Sequence, residues 1–239
     1  MACFLISDLH LNPGQPLLTQ GFCDFLATTA AGAERLYILG DFFDAWIGDD
    51  DDSEFVAEVK AGLRTYSDAG TEVFVLRGNR DFLLGEGFAR DTGCKLLDDE
   101  TLVQLAGQPV LLMHGDSLCT GDTSYMAFRD MVRNPAWQAQ ILALPLAQRR
   151  VMAQELRAKS QSLNAVKAED IMDVEPATVA QVMAAHQVQL LIHGHTHRPA
   201  VHETSLADRP ASRWVLGDWH DHGWYIRADA ALTLVQFAL

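Results

Sequence analysis

Short apolar runs recur along the chain and predict five buried β-strands. They are CFLIS at 3–7, LYILG at 36–40, EVFVLR at 72–77, VLLMH at 110–114 and QLLIH at 189–193. Apolar runs of this length, with little alternation, are typical of strands that are covered on both faces. Helical patterns separate several of them, near 16–31, 53–69 and 175–186. Strands interleaved with helices predict a layered α/β fold.

Two further stretches have patterns of their own. The C-terminal stretch RWVLGDWHDHGWYIRADAALTLVQF, at 213–237, alternates more strongly and predicts a β-hairpin. Residues 120–187 are almost entirely helical in pattern, although Pro135 and Pro145 interrupt the first half. This stretch is far longer than an ordinary connection between strands. We therefore predict a single domain, 1–239, with an inserted helical cap at about 120–187.

The bulk composition fits one core in a cytosolic protein. Of the 239 residues, 49% are hydrophobic, yet no apolar run approaches the roughly 18 residues of a membrane span. The N-terminal residues predict a first strand and no signal peptide. The four cysteines are far apart and form no C-x-x-C motif, so we expect reduced thiols.

The charge is acidic overall but unevenly distributed. A formal net charge of −14 opposes general nucleic-acid binding, which depends on a basic surface, so we expect no nucleic acid as partner. The window 129–167 is the exception, with only Asp130 and Glu155 as acids. Its basic residues, here called the basic island, are Arg129, Arg133, Arg149, Arg150, Arg157, Lys159 and Lys167. The island lies inside the predicted cap, where it could approach anionic lipid.

Each predicted strand leads into residues that bind metals well. In strand order these are Asp8 and His10; Asp41 and Asp44; Asn79, Arg80 and Asp81; His114 and Asp116; and His193, His195 and His197. Sites in α/β sheets form beyond the carboxyl ends of the strands, so five such clusters can converge on one point.

The candidate ligands are imidazoles, carboxylates and an amide, without thiolates. This set disfavours a structural zinc site and suits manganese, iron or zinc at a reactive centre. There are too many candidates for one ion, so we infer two divalent metals. In hydrolytic sites two such ions lie about 3.5–4 Å apart and clamp the attacking and leaving oxygens.

The ordered motifs D-x-H, G-D-x-x-D, G-N-x-D, H-G-D and G-H-x-H resemble those of the calcineurin-like metallophosphoesterases over most of the chain. The resemblance implies a layered β-sandwich flanked by helices. It implies one metal held by Asp8, His10, Asp41 and His197 and a second held by Asp41, Asn79, His114 and His195. Asp41 would bridge the two ions, and their charge would attract phosphate despite the acidity of the protein.

Arg80 is a departure from many members of that superfamily, which have histidine at this position of G-N-x-D. A histidine can protonate a poor leaving group, whereas a guanidinium stays charged at neutral pH and can only stabilise negative charge. Arg80 therefore favours cleavage of a P–O–P bond, whose phosphate leaving group needs no proton, over cleavage of an alkyl phosphate ester.

A narrower resemblance is carried by ISDLHL, LYILGDFFDAWIGDDD, RGNRDFLLG, LMHGDSLCTGD, DIMDV and LIHGHTHRPAVHE. Over nearly the full length they resemble the UDP-2,3-diacylglucosamine hydrolases of Gram-negative lipid A synthesis. The resemblance implies attack of metal-activated water on the α-phosphate, which yields UMP and 2,3-diacylglucosamine 1-phosphate (lipid X). It implies manganese and a peripheral location on the cytoplasmic face of the inner membrane. We further expect a monomer.

The same resemblance implies site residues. Arg80, Asp41 and His195 would be catalytic. The substrate contacts would be Asn79, Arg80, Asp122, Ser160, Asn164, Lys167 and His195. Arg157 joins this set because Arg157, Ser160, Asn164 and Lys167 are spaced as one polar stripe on a helix. Apolar cap residues, among them Trp137, Leu142 and Val151, suit acyl chains, although most residues of this kind are simply core.

Two other functions stay open on the sequence. One is a dinuclear pyrophosphatase of a soluble nucleotide, such as ADP-ribose or a dinucleoside polyphosphate, against which the apolar and basic cap argues. The other is a metallophosphoesterase fold retained as a non-catalytic scaffold, which should have lost ligands, whereas every ligand position is filled here. The charge disfavours a metal-dependent nuclease.

Overall fold

A computed structural model describes residues 2–164 and 173–239. The strands in this part of the chain are β1 (Cys3–Ile6), β2 (Arg35–Leu39), β3 (Glu72–Leu76), β4 (Lys95–Leu96), β5 (Glu100–Leu105), β6 (Gln108–Met113), β7 (Leu190–His193), β8 (Ala200–Leu206), β9 (Arg209–Val215), β10 (His222–Ala228) and β11 (Leu232–Ala238). The helices are α1 (Pro16–Ala27), α2 (Glu54–Asp68), α3 (Glu86–Thr92), α4 (Thr123–Val132), α5 (Pro135–Leu142), α6 (Leu146–Asn164) and α7 (Pro176–Ala185).

The strands form two sheets that pack face to face. The first has the order β11-β10-β1-β2-β3-β4, in which β1 to β4 run parallel. The second has the order β5-β6-β7-β9-β8, with β6, β7 and β9 parallel. The five predicted strands are confirmed as β1, β2, β3, β6 and β7.

Successive residues of each apolar run face opposite sides of the sheet, and both sides are buried. Leu5 of β1 faces the core between the sheets, whereas Phe4 and Ile6 face the helices on the other side. In β7, Ile192 faces the core between the sheets and Leu191 faces outward. Because both faces of each strand are covered, neither face needs polar residues.

Helices cover the outer faces of both sheets. Phe22 of α1, Val59 of α2 and Phe88 of α3 belong to the core on the first sheet, and Met183 of α7 packs with Leu191 on the second. Ser53 begins α2, where its side chain accepts a hydrogen bond from the Val56 amide. The prediction of a layered β-sandwich flanked by helices is confirmed.

The C-terminal prediction is only partly right. β10 and β11 form the expected antiparallel hairpin in the first sheet. The end of β9, which falls at the start of the same alternating stretch, instead pairs with β7 and β8 in the second sheet. The connection between β9 and β10 buries Trp219 against Phe25 and Phe237. This indole fills the aromatic core beneath α1 at the point where the chain crosses between the sheets.

Helices α4, α5 and α6 lie in the stretch predicted as a cap. As predicted, the helical stretch is broken at Pro135 and Pro145, which separate α4, α5 and α6. Pro135 begins α5, and the Asn134 side chain before it accepts from the amides of Ala136 and Trp137. α7 also lies within 120–187, and it packs on the second sheet. The cap as a unit of its own stays a prediction.

The arginines of the basic island are used inside the molecule. Arg129 contacts Asp99 and Asp116, and Arg133 contacts Asp99. The other three, Arg149, Arg150 and Arg157, pair with carboxylates of residues 41–52, here called the acidic loop. Electrostatic pairing to this loop therefore holds α6 against the body of the protein. Among the described residues, no helix is both long and apolar enough to cross a bilayer.

Candidate metal centre

The predicted ligands converge because their strands end at one rim of the sandwich. β1, β2 and β3 are adjacent and parallel in the first sheet, as are β6 and β7 in the second. The loops that follow these five strands therefore meet. Backbone hydrogen bonds join them, from Asp8 N to the Gly40 carbonyl and from Gly194 N to the His114 carbonyl.

The backbone at this rim is strained. Five of the seven predicted ligands, namely Asp8, His10, Asp41, His195 and His197, have φ between 50° and 66°. Residues with a Cβ rarely adopt this left-handed region, and they keep it only where the surroundings enforce it. Such a concentration of costly conformations is typical of a functional site, because the strain orients side chains that an ordinary strand end would direct elsewhere.

One group of side chains gathers around Asp8. Its Oδ1 lies 3.4 Å from Nε2 of His197, and that nitrogen lies 3.2 Å from Nε2 of His10. The Oδ2 atom accepts hydrogen bonds from the Ser7 hydroxyl and the His195 amide, which fix the carboxylate. Nδ1 of His10 lies 3.9 Å from Oδ2 of Asp41, so Asp41 adjoins this group.

The second group gathers around Asn79. Its Oδ1 lies 2.9 Å from Nε2 of His114 and 2.8 Å from Nδ1 of His195. Nε2 of His114 also lies 3.6 Å from Oδ1 of Asp41. Asp41 thus directs one oxygen to each group, which is the arrangement that a bridging ligand requires.

Both groups have the chemistry of cation sites. Asp8, His10 and His197 can each place a ligand atom within 4.8 Å of the other two, and so can Asp8, Asp41 and His114. Oδ1 of Asp8 and Nδ1 of His10 are buried without a hydrogen-bond partner. Buried polar atoms are costly when unpaired, so these oxygen and nitrogen donors fit divalent cations well.

Burial keeps part of this set in the state that metal binding needs. Burial lowers the pKa of His195 to about 4, and burial together with the charge of Arg80 lowers the pKa of His10 well below its usual value. Both imidazoles are therefore neutral near pH 7 and have a lone pair for a metal.

The charges of the remaining ionisable ligands affect one another's pKa values; these ligands are Asp8, Asp41, His114 and His197. Burial raises the pKa of Asp41 to about 6, although His114 and Arg80 oppose that shift. Burial would also raise the pKa of Asp8, but the adjacent His197 imidazole, with further charge from His114 and His10, outweighs it and places the pKa well below its usual range. Burial lowers the pKa of His197, and the contact with Asp8 reverses this to a net rise. A cation can take the place of these protons.

Asp81 anchors two of the metal-binding loops to each other. The carboxylate is fully buried and accepts hydrogen bonds from the amides of Gly78 at 2.6 Å and Phe42 at 2.8 Å. It also accepts from the amide of Asp41 at 3.3 Å. Asp81 therefore holds the Asp41 turn against the Asn79 turn.

Replacing Asp81 with alanine is expected to lower the free energy of unfolding by about 3 kcal/mol, because several buried amides lose their acceptor. Asp81→Asn, which keeps one acceptor oxygen, should cost less. Urea unfolding with a chelator present measures this without any contribution from metal binding. Asp68→Ala removes an exposed carboxylate from a surface pair and is the control. An Asp81→Ala loss no larger than that of Asp68→Ala would contradict the anchoring role.

A pocket of about 380 Å³ opens beside the first metal group. His10 and His197 line it together with Asp44, Arg80 and Arg157. Asp44 accepts from Arg80 at 2.5 Å and from Nε of Arg157 at 3.0 Å. Nε of Arg80 also lies 3.4 Å from Oδ2 of Asp41. Two cationic side chains thus adjoin the candidate metal ligands, where a phosphate group could lie.

The remaining predicted substrate contacts are only partly placed. Asp122 is buried at the start of α4, where its carboxylate accepts from the amide of Tyr125 and the hydroxyl of Ser124. Ser160 is exposed on α6. The side chain of Asn164 and the whole of Lys167 lie outside the described residues. Substrate binding by these four residues stays a prediction.

Two residues near the site have no place in the sequence-based prediction. Tyr125 places its ring 5.7 Å from that of His195 and donates its hydroxyl to Asp116. Asp218 lies 3.5 Å from Nδ1 of His197, where it can orient that imidazole. Asp218 lies in LGDWHDH, whose concentration of aspartate and histidine was the available signal. No pattern indicated Tyr125.

The chain is similar in sequence to known proteins. The family model described as calcineurin-like phosphoesterase matches residues 1–199. A UDP-2,3-diacylglucosamine hydrolase of Chromohalobacter salexigens is 56% identical over 241 residues, covering 100% of this chain and 98% of the relative. Proteins of the same name from Cellvibrio japonicus and Marinobacter nauticus are 54% and 52% identical, covering 96% and 95% of this chain and 96% and 93% of their own lengths.

Proposed function

The chain belongs to the calcineurin-like phosphoesterase family, and on that basis we propose that it hydrolyses the pyrophosphate bond of UDP-2,3-diacylglucosamine. Water attacks the α-phosphate, and the products are UMP and 2,3-diacylglucosamine 1-phosphate, an intermediate of lipid A synthesis. The observation that carries this proposal is full-length similarity to hydrolases of that name, combined with two converging groups of histidine and aspartate side chains that could hold metal ions.

The family implies divalent metal ions, and we propose two, of manganese. Asp8, His10 and His197 would hold one, Asn79, His114 and His195 would hold the other, and Asp41 would bridge them. When bound, two such ions supply an activated water and neutralise charge that builds on the phosphoryl oxygens. The protein's contribution is to hold these seven side chains in place through Asp81, Ser7 and the strained turns.

Arg80 would act directly on the phosphate. Its backbone amide donates to Oδ1 of Asp41 at 2.8 Å, so the guanidinium is tied to the carboxylate proposed to bridge the metals. A planar guanidinium can donate two parallel hydrogen bonds to phosphoryl oxygens and so stabilise their developing charge. It supplies no proton, which suits a leaving phosphate that is stable as an anion.

The cap would contact the acyl chains and the membrane surface. Leu142 of α5 and Val151 of α6 are exposed, with 42% and 53% of their surface accessible. Trp137 and Ile141, by contrast, pack against the core of the first sheet. We propose a peripheral, monomeric protein at the cytoplasmic face of the inner membrane, with the exposed apolar residues of the cap towards the lipid.

Hydrolysis in heavy-oxygen water tests the substrate and the site of attack together. The protein is incubated with manganese and UDP-2,3-diacylglucosamine, and both products are analysed by mass spectrometry. We expect the label in UMP and none in the 1-phosphate, because water attacks the α-phosphorus. Label in the sugar phosphate would overturn the site of attack.

The same assay with ADP-ribose and a dinucleoside polyphosphate distinguishes the alternative substrates. We expect no comparable turnover of either nucleotide, because neither carries acyl chains for the cap. Cleavage of one of them, with UDP-2,3-diacylglucosamine left intact, would replace the proposed substrate with a soluble one.

A further inference from the structure

Asp44 joins two arginines that are remote in sequence. Its Oδ1 accepts from Arg80, which is 36 positions away, and lies 2.8 Å from a terminal nitrogen of Arg157, which is 113 positions away. Its Oδ2 accepts from Nε of Arg157 at 3.0 Å, so the contact with Arg157 is bidentate. Between 20% and 30% of each of the three side chains is exposed, and all three line the pocket beside His10 and His197.

Pairing between α6 and the acidic loop brings Arg157 to this point. Arg149 is 4% exposed and donates to the Ile47 carbonyl and to both carboxylate oxygens of Asp50. Arg150 pairs with Asp51 and Asp52. Arg150 and Arg157 are seven positions apart and so lie on one face of α6. The buried contacts of Arg149 set the rotation and height of the helix, and Arg157 is then directed at Asp44, whereas the surface pairs of the more exposed Arg150 contribute little.

The charges explain why a carboxylate stands between the two guanidiniums. Two cations that converge on a small pocket repel each other, and the repulsion would drive the exposed ends apart. One carboxylate that contacts both removes this repulsion and leaves the cluster with a net positive charge. Each guanidinium has more N–H groups than these contacts use, so it can also donate to phosphate oxygens.

We propose that Asp44 is a positioning residue that holds Arg80 and Arg157 as a two-guanidinium clamp for phosphate oxygens. The proposal rests on the proposed function for the identity of the substrate, but the clamp recognises phosphate as such. It also gives the basic island and the acidic loop a common role. The pairing positions one arginine of the cap over the metal-binding rim.

The test compares Asp44→Asn, which removes the charge at constant size, with Asp51→Asn. Asp51 lies in the same loop and pairs with Arg150 of the same helix, but it does not line the pocket. Binding of inorganic phosphate is measured by calorimetry with manganese present, and kcat and KM are measured with UDP-2,3-diacylglucosamine. We expect Asp44→Asn to weaken phosphate binding about tenfold and to raise KM similarly, the loss of about one charge-assisted hydrogen bond. Metal content and Tm should match those of Asp51→Asn.

A double-mutant cycle with Arg157→Gln separates positioning from a general effect. If Asp44 acts partly through Arg157, Asp44→Asn in the Arg157→Gln background should weaken phosphate binding less than threefold. Equal losses in both backgrounds would overturn the inference, as would phosphate affinity in Asp44→Asn that equals or exceeds that of Asp51→Asn, or a wild type that does not bind phosphate. A wild type that binds phosphate through this coupling but leaves UDP-2,3-diacylglucosamine intact would instead refute the proposed function alone.

Discussion

Asp41→Ala is expected to abolish turnover and to remove at least one metal ion from the protein. Oδ1 of Asp41 is directed to His114 in the group around Asn79. Oδ2 is directed to His10 in the group around Asp8, so alanine removes a ligand from both groups. The Arg80 amide also loses its acceptor, which displaces the turn that carries Arg80. We expect kcat/KM to fall by more than about 10³-fold, at the upper end of what one transition-state contact contributes.

Metal content by mass spectrometry is the decisive measurement for Asp41. Asp52→Ala is the matched control, because Asp52 is an exposed carboxylate of the same acidic loop and pairs only with Arg150 among the contacts described. Its metal content and activity should stay at wild-type levels. Two ions retained in Asp41→Ala, with full activity, would refute the bridging role.

Gly194→Ala should be nearly as damaging, although glycine contributes no ligand. A Cβ at this position would lie 2.0 Å from Oγ of Ser7 and 2.2 Å from Oδ2 of Asp8. Asp8 cannot move aside, because that oxygen is held by the His195 amide and the Ser7 hydroxyl. The added methyl group therefore separates β7 from β1 at the metal-binding rim. We expect metal affinity to fall by about 10- to 100-fold, as it does when groups that orient ligands are disturbed.

Gly121→Ala is the control for this substitution, because a Cβ there would meet no atom within 4 Å. Metal affinity and thermal unfolding are compared for both variants. The Gly194 variant should also unfold several degrees lower, since overpacking costs about 1–3 kcal/mol. Equal metal affinity in the two variants would show that the rim tolerates the extra atom, and the close packing of the loops would then not matter for binding.

Much of the fold could be predicted because a strand that is buried on both faces consists mainly of apolar residues. The five strands at the centre of the sheets are mainly apolar, and the helices that cover them have ordinary amphipathic patterns. β4, β5, β8 and α3 were not predicted. β8 is exposed along most of its length, so it carries little of the apolar signal on which such prediction depends.

The candidate site could be predicted as a set of residues but not as a geometry. Ligand types at strand ends indicated a metal centre, because parallel strands bring their carboxyl ends to one rim. The left-handed backbone at Asp8, Asp41 and His195 could not be foreseen. Such strain is stable only when neighbouring loops enforce it, and those loops come from distant parts of the chain.

The charged residues show most clearly what the sequence determines and what only the tertiary structure decides. The sequence alone determined that arginines are concentrated at 129–167 and that carboxylates are concentrated at 41–52. Only the tertiary structure decided that α6 lies on that loop, so that the described arginines pair within the molecule and Asp44 meets both Arg80 and Arg157. The reason is physical: composition and periodicity record whether a position is buried and which chemistry it carries. The partner of a charge depends on packing between elements a hundred residues apart, which leaves no local pattern.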